Sequence, residues 1–192
     1  MSKLLSKGNH KLPTSTAIFN LPSGRTCPGR TAKCLKHCYA KKAERQYPAV
    51  LPFRMRNWDT SKTDRFFDLI SGELSRSRVI TTVRIHESGD FYSEEYFRKW
   101  VDIALAFPEL KFYAYTKVVT LGTKFRPDNF TLLLSDDDSV YTNHWNNFEG
   151  VTTVTPKNGV PEKGWFVCPG SCRTCNKCYD SSENKRVTFE EH

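Results

Sequence analysis

Residues 79–107 read VITTVRIHESGDFYSEEYFRKWVDIALAF. The first nine, 79–87, are rich in β-branched side chains and predict a strand. Ser88, Gly89 and Asp90 follow as a turn. Ser93 then has the chemistry of a helix N-cap, because its hydroxyl can take one of the first unpaired backbone N–H groups. Glu94 and Glu95 place negative charge in the first turn, where the helix dipole favours it. Tyr96, Phe97, Trp100, Val101, Ala104 and Leu105 recur at helical spacing over 93–107, and Pro108 stops the helix. A strand, a tight turn and a one-sided helix in succession make a βα unit.

The same reading extends in both directions. TAIFNLP (16–22) is a short strand ended by Pro22, and residues 31–46 have helical character. Pro48 and Pro52 interrupt, and further helix is expected at 53–58 and 62–76, the latter with an apolar stripe of Phe66, Phe67, Leu69, Ile70 and Leu74. On the other side KFYAYTK (111–117), FTLLLSD (130–136), VTTVTP (151–156) and WFVC (165–168) read as strands. Strands alternating with helices through short turns predict an α/β fold with a largely parallel sheet. Five or six strands with few helices suit a partial, open βα barrel better than a complete eightfold one. The expected organisation is a flexible N-terminus at 1–15, one metal-binding α/β domain at 16–179 and a loose polar tail at 180–192.

Composition bounds the function. The 192 residues are 38% hydrophobic and 13% aromatic, enough for a packed core. No apolar run is long enough for a membrane span, and the first dozen residues are too polar for a signal-peptide core. The reading is therefore a cytoplasmic protein. Lys and Arg total 29 against 21 Asp and Glu, a formal charge of +8, which favours anionic partners such as nucleic acid or nucleotides. Lys41, Lys42, Arg45, Arg54 and Arg56 interleave with Tyr47, Phe53 and Trp58 over 41–58, a pattern suited to DNA or RNA with stacked bases. The plainer alternative is an amphipathic surface with its aromatics buried. Oligomeric state has no sequence signal.

Seven cysteines fall in two short, turn-rich windows: Cys27-x6-Cys34-x3-Cys38, and Cys168-x3-Cys172-x2-Cys175-x2-Cys178. Isolated cysteines are usually small buried hydrophobes. Seven thiols clustered in a reducing compartment point instead to metal. A structural zinc site draws on two separated knuckles that converge on one ion. Four cysteines within 168–178 fit that awkwardly, whereas an iron–sulfur cluster offers several spaced attachment points. One or two [4Fe–4S] clusters are the preferred reading and zinc the alternative. Seven divides as four plus three, which would leave one cluster an open iron. His37, beside Cys38, is either a further ligand or a surface residue.

If residues 31–46 are one helix, Cys34 and Cys38 lie on one face. Val83 and Ile85 alternate with Arg84 and His86, so the latter pair is expected on one face of the strand. Arg84 is suited to a carboxylate or phosphate, His86 to proton transfer, and Asp90 to accepting from an amine. Glu87 and Ser88 lie with Asp90 just past the strand's C-terminal end, where α/β sheets build their sites. Tyr115, Lys117, Ser135 and Asp136 close the next two strands at that edge. The alternative is an exposed strand face with a capping turn. Both cysteine groups directly follow strands, so they are expected at the same edge. A centre shared between them would pin a sheet that curls toward closure.

The motifs FNLPSGRTCPG, CLKHCYA, VRIHESGDFYSEEYFRKW, FYAYTK and the terminal CPGSC…C…C resemble a family of phage and plasmid proteins named gene product eighty-eight. The likeness covers most of residues 16–178 and implies a phage-encoded protein in the host cytoplasm. More distantly, a three-cysteine loop after the first strand, Tyr39 after the last of those cysteines, and Ser88-Gly89-Asp90 after the next strand are similar to radical S-adenosylmethionine enzymes. That likeness implies S-adenosylmethionine held by Ser88, Gly89, Asp90 and Lys117. The loop spacing departs from that family's usual x3, x2, which here occurs at Cys168, Cys172 and Cys175 instead. Three classes of function follow: an enzyme acting on nucleotide or nucleic acid, a nucleic-acid-binding or redox-sensing regulator, and a zinc-stabilised interaction module.

Overall fold

The computed structural model describes residues 3–137, 139–180 and 185–190. Among these the chain forms strands β1 (Ser6–Lys7), β2 (Thr16–Phe19), β3 (Thr82–Ile85), β4 (Lys111–Thr116), β5 (Phe130–Ser135), β6 (Gly150–Thr155), β7 (Phe166–Val167) and β8 (Lys185–Glu190). The helices are α1 (Ala32–Lys36), α2 (Tyr39–Gln46), α3 (Val50–Ser61), α4 (Phe66–Ser75) and α5 (Glu94–Ala106). Ser93 caps α5 as its chemistry requires, its hydroxyl accepting from Tyr96 N.

All eight strands join one sheet in the order β1-β2-β3-β4-β5-β6-β8-β7. Only β1 runs antiparallel to its neighbour. Side chains alternate across the sheet. Val83, Ile85, Phe112, Ala114, Leu132 and Leu134 pack with Phe66, Ile70 and Leu74 of α4 and with Tyr96, Phe97, Trp100 and Ala104 of α5. Edge-to-face contacts of Phe19 and Phe66 with Trp100, at 5.3 and 5.4 Å, centre this core. The opposite face carries Tyr113, Leu133 and Val187, with Tyr115 and Phe189 beside them, and is covered by Cys168, Cys178 and Tyr179.

The sheet curls around this second face. On a flat sheet β4 and β8 would stand three strand spacings apart, about 14 Å. Yet the rings of Tyr115 and Phe189 meet at 5.9 Å. Cys168 N bonds Thr188 O in β8 and Cys172 N bonds Lys11 O ahead of β2. The four residue steps from Cys168 to Cys172 reach no more than about 14 Å. Among the described residues the sheet does not close into a barrel, and β1 and β7 are its edges. The two ends of the chain therefore meet through the C-terminal loop laid over the concave face, and the first and last strands do not pair.

Several expectations are corrected. The N-terminus is anchored, not flexible: Leu4, Leu5 and Leu12 are buried, and the backbone N–H groups of Leu4 and Leu5 donate to the Glu73 carboxylate. The tail contributes β8, inserted between β6 and β7, where Val187 and Thr188 are buried. KRVTFE lacks the apolar run that marks a buried strand, so its burial comes from its two neighbours alone. Residues 181–184, 191 and 192 of that predicted tail lie outside the described residues, as do 1 and 2 of the N-terminus. The helix expected at 31–46 breaks at His37 and Cys38, where Cys38 takes an extended ψ of 100°. Pro52 sits inside α3, in the first turn, where its missing N–H removes no helical bond. Among the described residues no helix is long and apolar enough to cross a membrane.

Candidate metal centre

Gly89 and Asp90 set the position of the first cysteine loop. Leu21 N donates to Ser88 O, the Ser88 hydroxyl donates to Leu21 O, and Asp90 N donates to Thr26 O. Gly89 adopts a φ of +88°, and a Cβ there would lie 2.5 Å from Leu21 Cβ and 2.7 Å from Thr26 Oγ1. Only glycine combines that backbone with that approach. The Asp90 carboxylate accepts from Phe91 N, the Thr116 hydroxyl and Lys117 N at 2.7 to 2.9 Å. Thus Ser88, Gly89 and Asp90 clamp the loop bearing Cys27 to the ends of β3 and β4. Asp90's acceptor capacity is taken by protein donors rather than held open for an amine. Burial raises its pKa to about 6, against the pull of its three hydrogen bonds.

His86 does not share a face with Arg84. Its φ of +69° breaks the alternation of β3. Its ring packs among Phe19, Phe91 and Tyr96 on the helical side, with Nε2 2.8 Å from the Tyr96 hydroxyl. Burial pushes its pKa down to about 3, so it is a neutral core residue and not a proton carrier at neutral pH. Arg84 remains on the concave face. It lies over the rings of Tyr113 and Tyr115, at 5.9 and 5.3 Å, and 3.6 Å from Glu87 Oε1.

The seven thiols are free and form two neighbourhoods. Cys27, beyond β2, Cys34 in α1 and Cys38 between α1 and α2 gather near Asp90. The Cys27 thiol is pushed up to about 11, by burial first and then by Asp90 and the other two thiols. Cys34 is raised by burial, with Lys117 opposing. Pro28-Gly29 presses this loop onto β4: a Cβ on Gly29 would sit 2.4 Å from Lys117 O. Lys117 Nζ bonds Ser135 O, Ser135 Oγ and Asp137 Oδ2, at 3.0, 3.1 and 2.6 Å, and so ties β4 to β5 beside Cys34. Asp136 is occupied by Val140 N, Tyr141 N and Trp145 Nε1.

Cys168, Cys172, Cys175 and Cys178 form the second neighbourhood, over the concave face. Cys178 is buried, and its thiol is raised to about 11 by that burial, with a Tyr115 hydrogen bond opposing. Cys172 is raised by burial and lowered by Arg84. Tyr39, after Cys38, donates its hydroxyl to Glu87 O. Among the described residues, no three His, Cys, Asp or Glu side chains are placed to ligate a single metal ion. Tyr113 and Lys185, buried polar groups beside the second loop, escaped the sequence reading. The parity of Tyr113 with Arg84 was visible only once their register was known, and Lys185 lay in the supposed tail.

The basic stretch divides. Lys41, Lys42, Arg45 and Arg56 are exposed with Tyr47. Arg54 is buried and paired with Glu44 at 2.8 Å, so it is structural. Trp58 packs against the core.

A family model described as Gene product 88 matches residues 3–167, which include the first cysteine loop and its Ser88–Asp90 clamp and end one residue before Cys168. The Gene 88 protein of Mycobacterium phage L5 is 30% identical over 198 residues, covering 94% of this chain and 83% of that protein. The Gene 88 protein of Mycobacterium phage D29 is 30% identical over 148 residues, covering 69% of this chain and 62% of that protein. No solved structure matches the chain. With a family match spanning the anchored N-terminus, the clamp and the sheet as far as β7, this chain belongs to the gene product 88 family.

Proposed function

We propose that this chain is an iron–sulfur protein of the phage-infected cell's cytoplasm. Cys168, Cys172, Cys175 and Cys178 hold one [4Fe–4S] cluster against the concave face. Cys27, Cys34 and Cys38 supply three ligands to a second, whose remaining iron stays open to an exogenous ligand. The observation that carries this reading is the grouping of seven reduced thiols into two pinned loops, four and three, each on its own neighbourhood. Four cysteines within 168–178 fit a cluster's spaced irons better than a mononuclear zinc. Burial that raises the free thiols makes loading release protons. Protein produced with ample iron and purified without oxygen is expected to be brown, with iron and acid-labile sulfide in equal amounts. Colourless folded protein with stoichiometric zinc and no iron would refute the proposal.

A second reading adds a nucleic-acid surface, favoured by exposed Lys41, Lys42, Arg45 and Arg56 beside exposed Tyr47. Four phosphate contacts to a single strand predict a salt slope near −2.8, hence about a 50-fold loss of affinity between roughly 50 and 200 mM salt. Titration of labelled single-stranded DNA and RNA measures it. Affinity that is absent or indifferent to salt removes this reading.

A further inference from the structure

The concave face holds three buried hydrogen-bond donors that the described protein leaves without partners: Arg84 Nε, the Tyr113 hydroxyl and Lys185 Nζ. Tyr113 is 0% exposed and Lys185 2%. They come from three strands, β3, β4 and the start of β8, on one side of the sheet. Each borders the second cysteine loop: Arg84 acts on Cys172, Tyr113 lies near Cys172 and Cys178, and Lys185 lies near Cys178. A buried donor without an acceptor costs about 1–3 kcal/mol, more when charged. Two cations and a hydroxyl left unanswered beneath one cysteine loop favour an anionic acceptor there. Glu87 neutralises one side of Arg84 at 3.6 Å, and leaves Nε and both other donors unanswered.

We infer that Arg84, Tyr113 and Lys185 are positioning residues for the cluster of the second loop, donating to its sulfur atoms and holding its reduction potential high. This rests on the iron–sulfur reading of the same site. A four-thiolate cluster is an anion whose negative charge grows by one on reduction. Buried cations and donors therefore stabilise the reduced form more than the oxidised one. The step is a one-electron reduction with no bond made or broken. The electron comes from an external one-electron carrier, of the flavin or iron–sulfur class in a cell and dithionite in the test. The consequence is a redox-active centre, where a purely structural one would need no such floor.

The test uses the full iron-loaded chain, titrated electrochemically without oxygen, after iron and sulfide have been counted. Lys185→Met is expected to move the reduced-to-oxidised ratio about tenfold toward oxidised at the wild-type midpoint, equivalent to 59 mV for a one-electron couple. Tyr113→Phe, which keeps the ring and its packing, moves it in the same direction by about threefold and serves if Lys185→Met fails to fold. Arg98→Met, a charge deletion on the exposed side of α5, leaves the midpoint in place. Full iron content with midpoints equal to wild type in the variants overturns this inference and leaves the iron–sulfur reading standing. Wild-type protein that takes up no iron overturns both.

Discussion

Gly89→Ala protein melts about 10 °C below wild type. Two costs combine at this position. The φ of +88° is strained for any side chain, by about 1–2 kcal/mol. The added Cβ must also displace Leu21, from which it would stand 2.5 Å, and Leu21 is bonded through both its N–H and its carbonyl to Ser88. Overpacking of this kind adds about 1–3 kcal/mol. A sum of about 2–5 kcal/mol corresponds to roughly 10 °C in a chain of this size. Gly170→Ala is the control: φ is +77° there, but nothing lies within 4 Å of the added Cβ. It bears the backbone strain alone and melts only a few degrees low. Because Asp90 N and Thr26 O join the clamp to the Cys27 loop, the iron–sulfur proposal further predicts that Gly89→Ala lowers iron at the first cysteine group and spares the second. Calorimetry and iron counting on the two variants read this out. Equal melting temperatures would mean that the loop does not rest on Gly89.

The second large effect is hidden in the wild type and appears in single variants. His86 has a folded pKa near 3 against 6.5 unfolded. A depressed pKa gives stability that is present above the unfolded value and lost as pH falls from 6.5 toward 3. Asp90 has a folded pKa near 6 against 3.8 unfolded. A raised pKa gives stability that is full below 3.8 and lost as pH rises through 6. Between pH values of about 4 and 6 the slopes are equal and opposite, about 1.4 kcal/mol per pH unit each. His86→Asn, whose new side chain tolerates the positive φ, removes one slope, and Asp90→Asn removes the other. Over two pH units the variants diverge by about 5 kcal/mol, His86→Asn gaining relative to Asp90→Asn on acidification. Other carboxylates act on both variants alike, so the difference isolates this pair. Denaturant unfolding at both pH values measures it, and parallel pH profiles would dismiss the opposition.

Much of the architecture was legible in local chemistry. Ser93 with Glu94 and Glu95 marks the start of α5, and the β-branched runs of β3 and β6 and the leucine run of β5 mark a parallel sheet, because cap chemistry and side-chain period act over a few residues. The partition of seven cysteines into four and three is likewise a property of the chain alone. The structure alone decided what depends on partners distant in sequence. β8 carries no apolar run and is buried because β6 and β7 flank it. His86 leaves the site because one positive φ turns its ring into the helical core. Asp90 is taken by Thr116 and Lys117, about one strand away in the sheet and far along the chain. Lys185 faces the cysteine loop because the sheet curls. Sequence period sets which face of its own strand a side chain takes only while the backbone stays extended, as it does not at His86; the packing of strands against one another decides what that face meets.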